Sequence, residues 1–321
     1  MGVRAAWTAA VLAVLLAAAG CASAPEPVPG PPQSERASQL NVEGVAAAAR
    51  GEYALALLKF EAALALSRSV DDRRTELAAL RNLAAAYTAL GRLERAGEAA
   101  QEALEIAAEA GDHRAEAALW GMLAKLAYMR GDAAGALGLL DNAARLDARF
   151  AHADRGARLN LRAMALLKLG RRDEAAAVLD EALKLNEAAG LDGEVANSLR
   201  LRADMLSGEG RDDEAAALYE RALEIDRRLG RSSRIFHSLY ALGRIALAGG
   251  DEDGALGLLD RALKVALAAG LSEGAGECID AMAEIYAGRG DDEMVRFYRA
   301  MKEKVERGSG PGATGPAAGE G

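Results

Sequence analysis

Apolar positions recur at spacings of three and four along most of the chain, in runs punctuated by glycine at near-constant intervals. The stretch from Gly210 to Ile225 is one instance. After its turn, Ala215, Leu218, Tyr219, Ala222 and Leu223 share one face, the spacing of an amphipathic helix. The same turn glycine stands at Gly51, Gly91, Gly131, Gly170, Gly210, Gly250 and Gly290, at intervals of 40, 40, 39, 40, 40 and 40 residues. Five residues later come Ala56, Ala96, Ala136, Ala175, Ala215, Ala255 and Val295. Seven residues before it come Gly44, Ala84, Ala124, Ala163, Ala203, Gly243 and Ala283. Small residues at both places let two antiparallel helices approach closely, and glycine supplies the positive φ of the turn between them.

A second set, Gly111, Gly190, Gly230 and Gly270, lies 20 residues after a turn glycine and predicts where each second helix stops. The first helices are predicted near 38–50, 72–90, 112–130, 152–169, 192–209, 232–249 and 272–289, with Asp112, Asp192 and Ser272 as N-caps. Self-similarity at a fixed period predicts a helical solenoid.

Several copies carry fragments of a known pattern: Leu80-x2-Leu83-Ala84-x2-Tyr87, Trp120-x2-Leu123-Ala124, Ala56-x3-Phe60 and Ala215-x3-Tyr219. Over residues 38–307 the chain resembles the tetratricopeptide repeat family. It departs in its period of 40 rather than 34 and in lacking the proline that ends the second helix. The resemblance implies an all-α fold: a right-handed α-solenoid of seven helix-turn-helix repeats, about fourteen antiparallel helices. It also implies a protein-binding scaffold rather than a catalyst. In the last helix Val295, Arg299 and Lys302 stand at the small or apolar positions, and Met294, Phe297, Tyr298, Met301 and Val305 form the apolar set instead. This helix reads as a cap with a more polar outer face.

Composition agrees with packed helices: the 321 residues are 51% hydrophobic and only 4% aromatic. A net charge of −9 and a pI near 5.1 speak against nucleic acid as a partner. No proline occurs between residues 33 and 310, which bounds the solenoid, because proline inside a helix costs about 3 kcal/mol. Residues 21–37 read as an extended proline-rich linker, and 308–321 as a disordered Gly/Pro/Ala tail.

At the start, Arg4 precedes an uncharged run of 15 residues, Ala5 to Ala19, short of the about 20 that span a bilayer. Its end, Leu16-Ala-Ala-Ala-Gly-Cys21, resembles a bacterial lipobox. That makes 1–20 a lipoprotein signal peptide and Cys21 the lipidated residue that ties the chain to a membrane. Ala22 after it implies the outer membrane, facing the periplasm. The competing reading is an ordinary secretory signal with an incidental cysteine.

No phosphate loop, nucleophile elbow or zinc motif is present. His113, His152 and His237 share no ligand spacing and read as surface or turn residues. The acids Asp212-Asp213, Asp251-Glu252-Asp253 and Asp291-Asp292 open second helices, where the helix dipole favours negative charge. No cofactor, metal or small-molecule substrate is expected, and no enzymatic activity.

The remaining candidate is the concave groove that the family's first helices line. Transferring groove positions copy by copy selects Arg81, Lys125, Tyr128, Asn160, Met164, Lys168, Arg200, Tyr240 and Arg244. Such a strip suits a protein or peptide partner bearing an acidic segment or chain-end carboxylate. A merely solvated helix face is the competing reading. The function expected is a lipid-anchored envelope scaffold. The alternative is a regulatory subunit that activates a cell-wall, pilus or secretion enzyme.

Overall fold

A computed structural model describes residues 32–150 and 152–307. The expected signal peptide, Cys21, all but the last residues of the linker, and the tail lie outside them. Fourteen α-helices and no strand occur among the described residues. In chain order they are α1 (Gln33–Ala49), α2 (Tyr53–Ser69), α3 (Arg73–Ala89), α4 (Leu93–Glu109), α5 (His113–Met129), α6 (Ala133–Phe150) and α7 (Arg155–Lys168). Then follow α8 (Arg172–Ala188), α9 (Asp192–Ser207), α10 (Asp212–Arg228), α11 (Ser232–Ala248), α12 (Glu252–Ala268), α13 (Ser272–Gly288) and α14 (Asp292–Glu306).

The turns have one recurring construction. Among the described residues eleven glycines adopt φ between 64° and 90°, including every turn and stop glycine of the sequence pattern. After Gly111 the amide of Asp112 donates to Ala107 O at 2.9 Å, the six-to-one bond of a Schellman motif. The same bond closes the turns at Gly51, Gly190, Gly230 and Gly270. Asp71 holds the equivalent place with φ 55°, within the left-handed range that Asp tolerates.

Capping follows from the distance to that glycine. Asp112, Asp251 and Asp291 come directly after it and accept the amide three residues on. Asp192 and Ser272, expected to cap, do not: a leucine intervenes at 191 and 271, so each sits inside its helix and makes no cap bond.

Two compact units divide between Asn82 and Leu83, within α3. In the first, α1 packs on α2 and Gly44 makes the contact possible, because a Cβ there would collide with the Phe60 ring. Helix α1 begins at Gln33, five residues before the expected boundary at 38. Pro32 suits the entry to a helix, and Ala37, assigned to the linker, is fully buried.

In the second unit α5–α6, α7–α8, α9–α10, α11–α12 and α13–α14 form packed pairs, and each second helix also packs on the first helix of the next copy. Ala96, Ala136, Ala175, Ala215 and Ala255 are 0% exposed, as are Ala124, Ala163 and Ala203. At Gly243 an added Cβ would lie 3.0 Å from Leu259. The last helix departs from expectation. Val295, Tyr298 and Val305 are its buried residues, whereas Phe297 is 52% exposed. Valine at the small position still reaches the pair interface, and Phe297 points away from it.

Candidate functional site

Four first helices of the second unit, α5, α7, α9 and α11, contribute to one open cleft of 480 Å³, within the range typical of ligand sites. Its apolar lining comes from Met122, Tyr128 and Met129 on α5 and from Leu161 and Met164 on α7. Polar groups come from Lys125, Asp154, Arg158, Glu194, Asn197 and Arg234. Of the residues selected from sequence, it therefore gathers Lys125, Tyr128 and Met164.

The others fall elsewhere. Lys168 is exposed at the end of α7. Tyr240 is half-buried, its ring 5.9 Å from that of Phe236. Arg244 is exposed and lies 3.4 Å from Glu284 at the same place in the next copy. Arg81 is exposed on the part of α3 that belongs to the first unit.

Asn160 and Arg200 were expected in the groove and are instead interior, at 1% and 2% exposure. Asn160 Nδ2 donates to Glu194 O at 3.1 Å and to Glu194 Oε2 at 3.0 Å, and its Oδ1 accepts from Ser198 Oγ at 2.7 Å. Here α7 and α9 pack closely enough that the expected groove position lies between them. Arg200 turns towards the end of α10 and pairs with fully buried Asp226. Desolvation holds the Asp226 carboxyl above its ordinary range, against the nearby Arg200 charge.

A third polar knot lies one junction earlier. Arg158 Nε donates to buried Asp147 Oδ2 at 2.8 Å, and Arg158 Nη1 lies 2.7 Å from Asp154. His152 Nδ1 is 2.9 Å from Asp147 Oδ1, with only 8% of its side chain exposed; it is a turn histidine, but an interior one. Gly121 makes room for this arginine, since a Cβ there would lie 3.1 Å from Arg158 Cγ and Cδ. Burial would raise the Asp154 carboxyl, but the hydrogen bond and charge of Arg158 outweigh it and hold it low.

These knots decide the electrostatics of the cleft. Asp154 pairs with Arg158; Glu194 accepts from the neutral amide of Asn160 and, like Lys125 and Arg234, has no ion-pair partner among the described residues. Sequence reasoning missed Met122, Leu161, Arg158 and Arg234. The first two had a signal, because apolar residues stand one place after the groove position in successive copies. The Arg158–Asp147 pair, eleven residues apart across a turn, had none. Arg162, at a position that is Leu123 and Leu242 in other copies, pairs with Asp141 of the preceding helix rather than joining the cleft.

Among the described residues no group of His, Cys, Asp and Glu is placed to hold a metal, and no helix is long and apolar enough to cross a membrane. Cys278 is fully buried, and desolvation pushes its thiol up to about 12.

Comparison with known proteins fixes the family. Profiles of the tetratricopeptide repeat match residues 154–228 and 78–109. The chain is a tetratricopeptide repeat protein. No curated protein sequence matches it. Among solved structures, BtubC (BKLC) from P. vanneervenii is similar with a TM-score of 0.57 and 21% identity, covering 71% of this chain and 96% of that one. A Rap protein complexed with competence and sporulation factor has a TM-score of 0.62 at 16% identity, covering 88% and 77%. Aspartyl phosphate phosphatase F from Bacillus subtilis has a TM-score of 0.64 at 15% identity, covering 88% and 73%. At these identities the likeness is one of fold: all-α and built from packed helix pairs.

Proposed function

We propose that this tetratricopeptide repeat protein is a non-catalytic scaffold of the bacterial envelope, anchored through Cys21, that docks a partner protein in the α5–α7–α9–α11 cleft. The observation that carries the reading is the cleft itself. Apolar side chains line it together with Lys125 and Arg234, two cations with no ion-pair partner among the described residues, on helices joined by buried polar knots. Such a surface has the parts of a recognition site, with adaptable apolar contacts for affinity and fixed polar groups for orientation. The anchor is supported by the apolar run that ends in Ala-Ala-Gly-Cys21.

Cross-linking and capture from intact cells tests the docking. Met164→Arg places a charge among the cleft's apolar residues and should strip the specific partner from the recovered material, while Arg221→Glu, on an exposed second-helix face, should not. Partner recovery unchanged by Met164→Arg would place the binding surface elsewhere. Cys21→Ser should abolish lipid attachment and leave the precursor uncleaved there. Mass spectrometry of the mature N-terminus reads this directly, and cleavage at another bond would remove the anchor from the proposal.

A further inference from the structure

We infer that the outer face of α2 is a lipid-contacting surface, laid on the membrane to which Cys21 ties the chain. This rests on the anchor reading above and adds the surface that meets the bilayer. Ala54, Leu55, Leu58, Ala62 and Ala65 are exposed on α2, Leu55 by 39% and Leu58 by 63%. From Leu55 onward they follow spacings of three and four, so they form one stripe. Between Ala54 and Leu66 the only charged residues are Lys59 and Glu61, and Lys59 Nζ is drawn to Glu43 of α1 at 2.7 Å. A helix apolar on every side is ordinarily a buried one, yet this face of α2 meets solvent.

The helix pair does not itself need apolar groups there. Leu55, Leu58 and Ala62 stand where α4 has Arg95, Glu98 and Glu102 and where α8 has Glu174, Ala177 and Glu181. The last copy has Met294, Phe297 and Met301 at these places, but Met294 and Met301 are partly buried against the core, which leaves Phe297 alone.

The position of the anchor decides the occupant. Helix α1 has 17 residues and packs back on α2, so Leu58 lies within about 20 Å of its start along the axis. The eleven residues from Cys21 to Pro31 span about 35 Å when extended, enough to bring a lipid on Cys21 level with Leu58. Two exposed leucines hold a bilayer weakly by themselves. A tether this short keeps them at a local concentration on the order of millimolar, where weak apolar contact is enough. A second copy of the chain, free to diffuse, has no such tether.

The test uses the chain from Cys21 onward, coupled through that thiol to a maleimide lipid in vesicles of phosphatidylethanolamine and phosphatidylglycerol. Cys278 is fully buried and its thiol raised to about 12, so coupling goes to Cys21. Each chain carries Trp120→Phe, and one reporter is added by Leu58→Trp or, at the equivalent place in α8, by Ala177→Trp. Brominated lipid should quench most of the Leu58→Trp emission and leave that of Ala177→Trp unchanged. Adding Leu55→Glu should abolish the quenching without lowering the melting temperature, because the position is exposed. If Trp120→Phe unsettles the fold, the difference in quenching between Leu58→Trp and the parent chain reads the same contact.

Absent quenching in Leu58→Trp, equal quenching in Ala177→Trp, or quenching that survives Leu55→Glu would overturn the inference. So would a dimer of the uncoupled chain, seen by light scattering, that Leu55→Glu/Leu58→Glu separates, since it would assign the stripe to a second copy. The coupling is chemical, so the contact can fail while the native anchor stands. Conversely, an unmodified Cys21 in cells would end the anchor reading and this inference together, whatever the coupled chain does.

Discussion

Two neighbouring junctions of the second unit solve one geometric demand with different chemistry. Asn160, Asn186 and Ser198 occupy in one junction the places that Arg200, Asp226 and Ser238 occupy forty residues later. In the first, Ser198 Oγ bonds Asn160 Oδ1 at 2.7 Å and Asn186 Nδ2 reaches Ser198 at 3.2 Å, so of these groups Asn186 Oδ1 alone has no partner among the described residues. In the second, the Arg200–Asp226 pair leaves Arg200 Nη2, Asp226 Oδ1 and Ser238 Oγ buried without partners among the described residues. The first knot spreads its bonds over two amides, a hydroxyl, a backbone carbonyl and the Glu194 carboxylate, whereas the second depends on a single buried ion pair. One register further the same places hold Tyr240, Ala266 and Cys278, and the knot gives way to an apolar contact. Charge is therefore not what the junction requires; it is one of three ways to fill it.

The largest effect that separates the junctions is expected from Asp226→Ala. Removing one partner of a buried ion pair costs about 3–5 kcal/mol, because the other charge stays behind. Adding Arg200→Met should recover most of that loss in urea unfolding. A single-variant cost no greater than that of Asn186→Ala would erase the distinction between the two knots.

Ser198→Ala comes next, at about 1–3 kcal/mol, since it orphans two neutral groups, Asn160 Oδ1 and Asn186 Nδ2. The equivalent Ser238→Ala should be close to neutral or stabilising, because that hydroxyl has no partner to lose. Equal costs at the two serines would show that the second knot holds a bond the geometry does not reveal.

The apolar junction gives a third comparison. Cys278→Ser introduces the residue of the other two junctions without their partners, and should cost about 1–2 kcal/mol as a buried unsatisfied hydroxyl. The native thiol, raised to about 12, should resist alkylation at neutral pH until the copy opens. Site-resolved mass spectrometry across a urea series reads that opening, and rapid labelling of the folded protein would contradict the packing.

The smallest effect belongs to the solvated pair Arg244–Glu284, with side chains 47% and 72% exposed. Arg244→Ala should change stability by about 1 kcal/mol at most, and less at high salt. A large salt-independent loss would mean that the pair is structural, like Arg200–Asp226, rather than exposed.

Much of this was legible from residues alone, and the reason is local. Positive φ at a turn favours glycine whatever surrounds it, with Asp71 the exception among the described residues, so Gly51 to Gly290 mark the helix ends directly. A small residue at Ala175 or Ala215 is set by the contact within one helix pair. Capping was partly legible: Asp112 follows its glycine directly, whereas the leucines at 191 and 271 displace Asp192 and Ser272 by one residue.

The groove was harder, because exposure of a first-helix residue depends on the neighbouring copy. Lys125 and Met164 keep their place in the cleft. Asn160 and Arg200, read from equivalent positions, are drawn inside by Ser198 and Glu194 in one case and by Asp226 in the other. The sequence by itself determined the helices, their turns and the family, since each follows from backbone conformation and side-chain size within a single copy. Only the tertiary structure decided which polar residues face solvent. That depends on how closely successive first helices approach, and on where in the adjacent copy a buried charge or amide finds its partner.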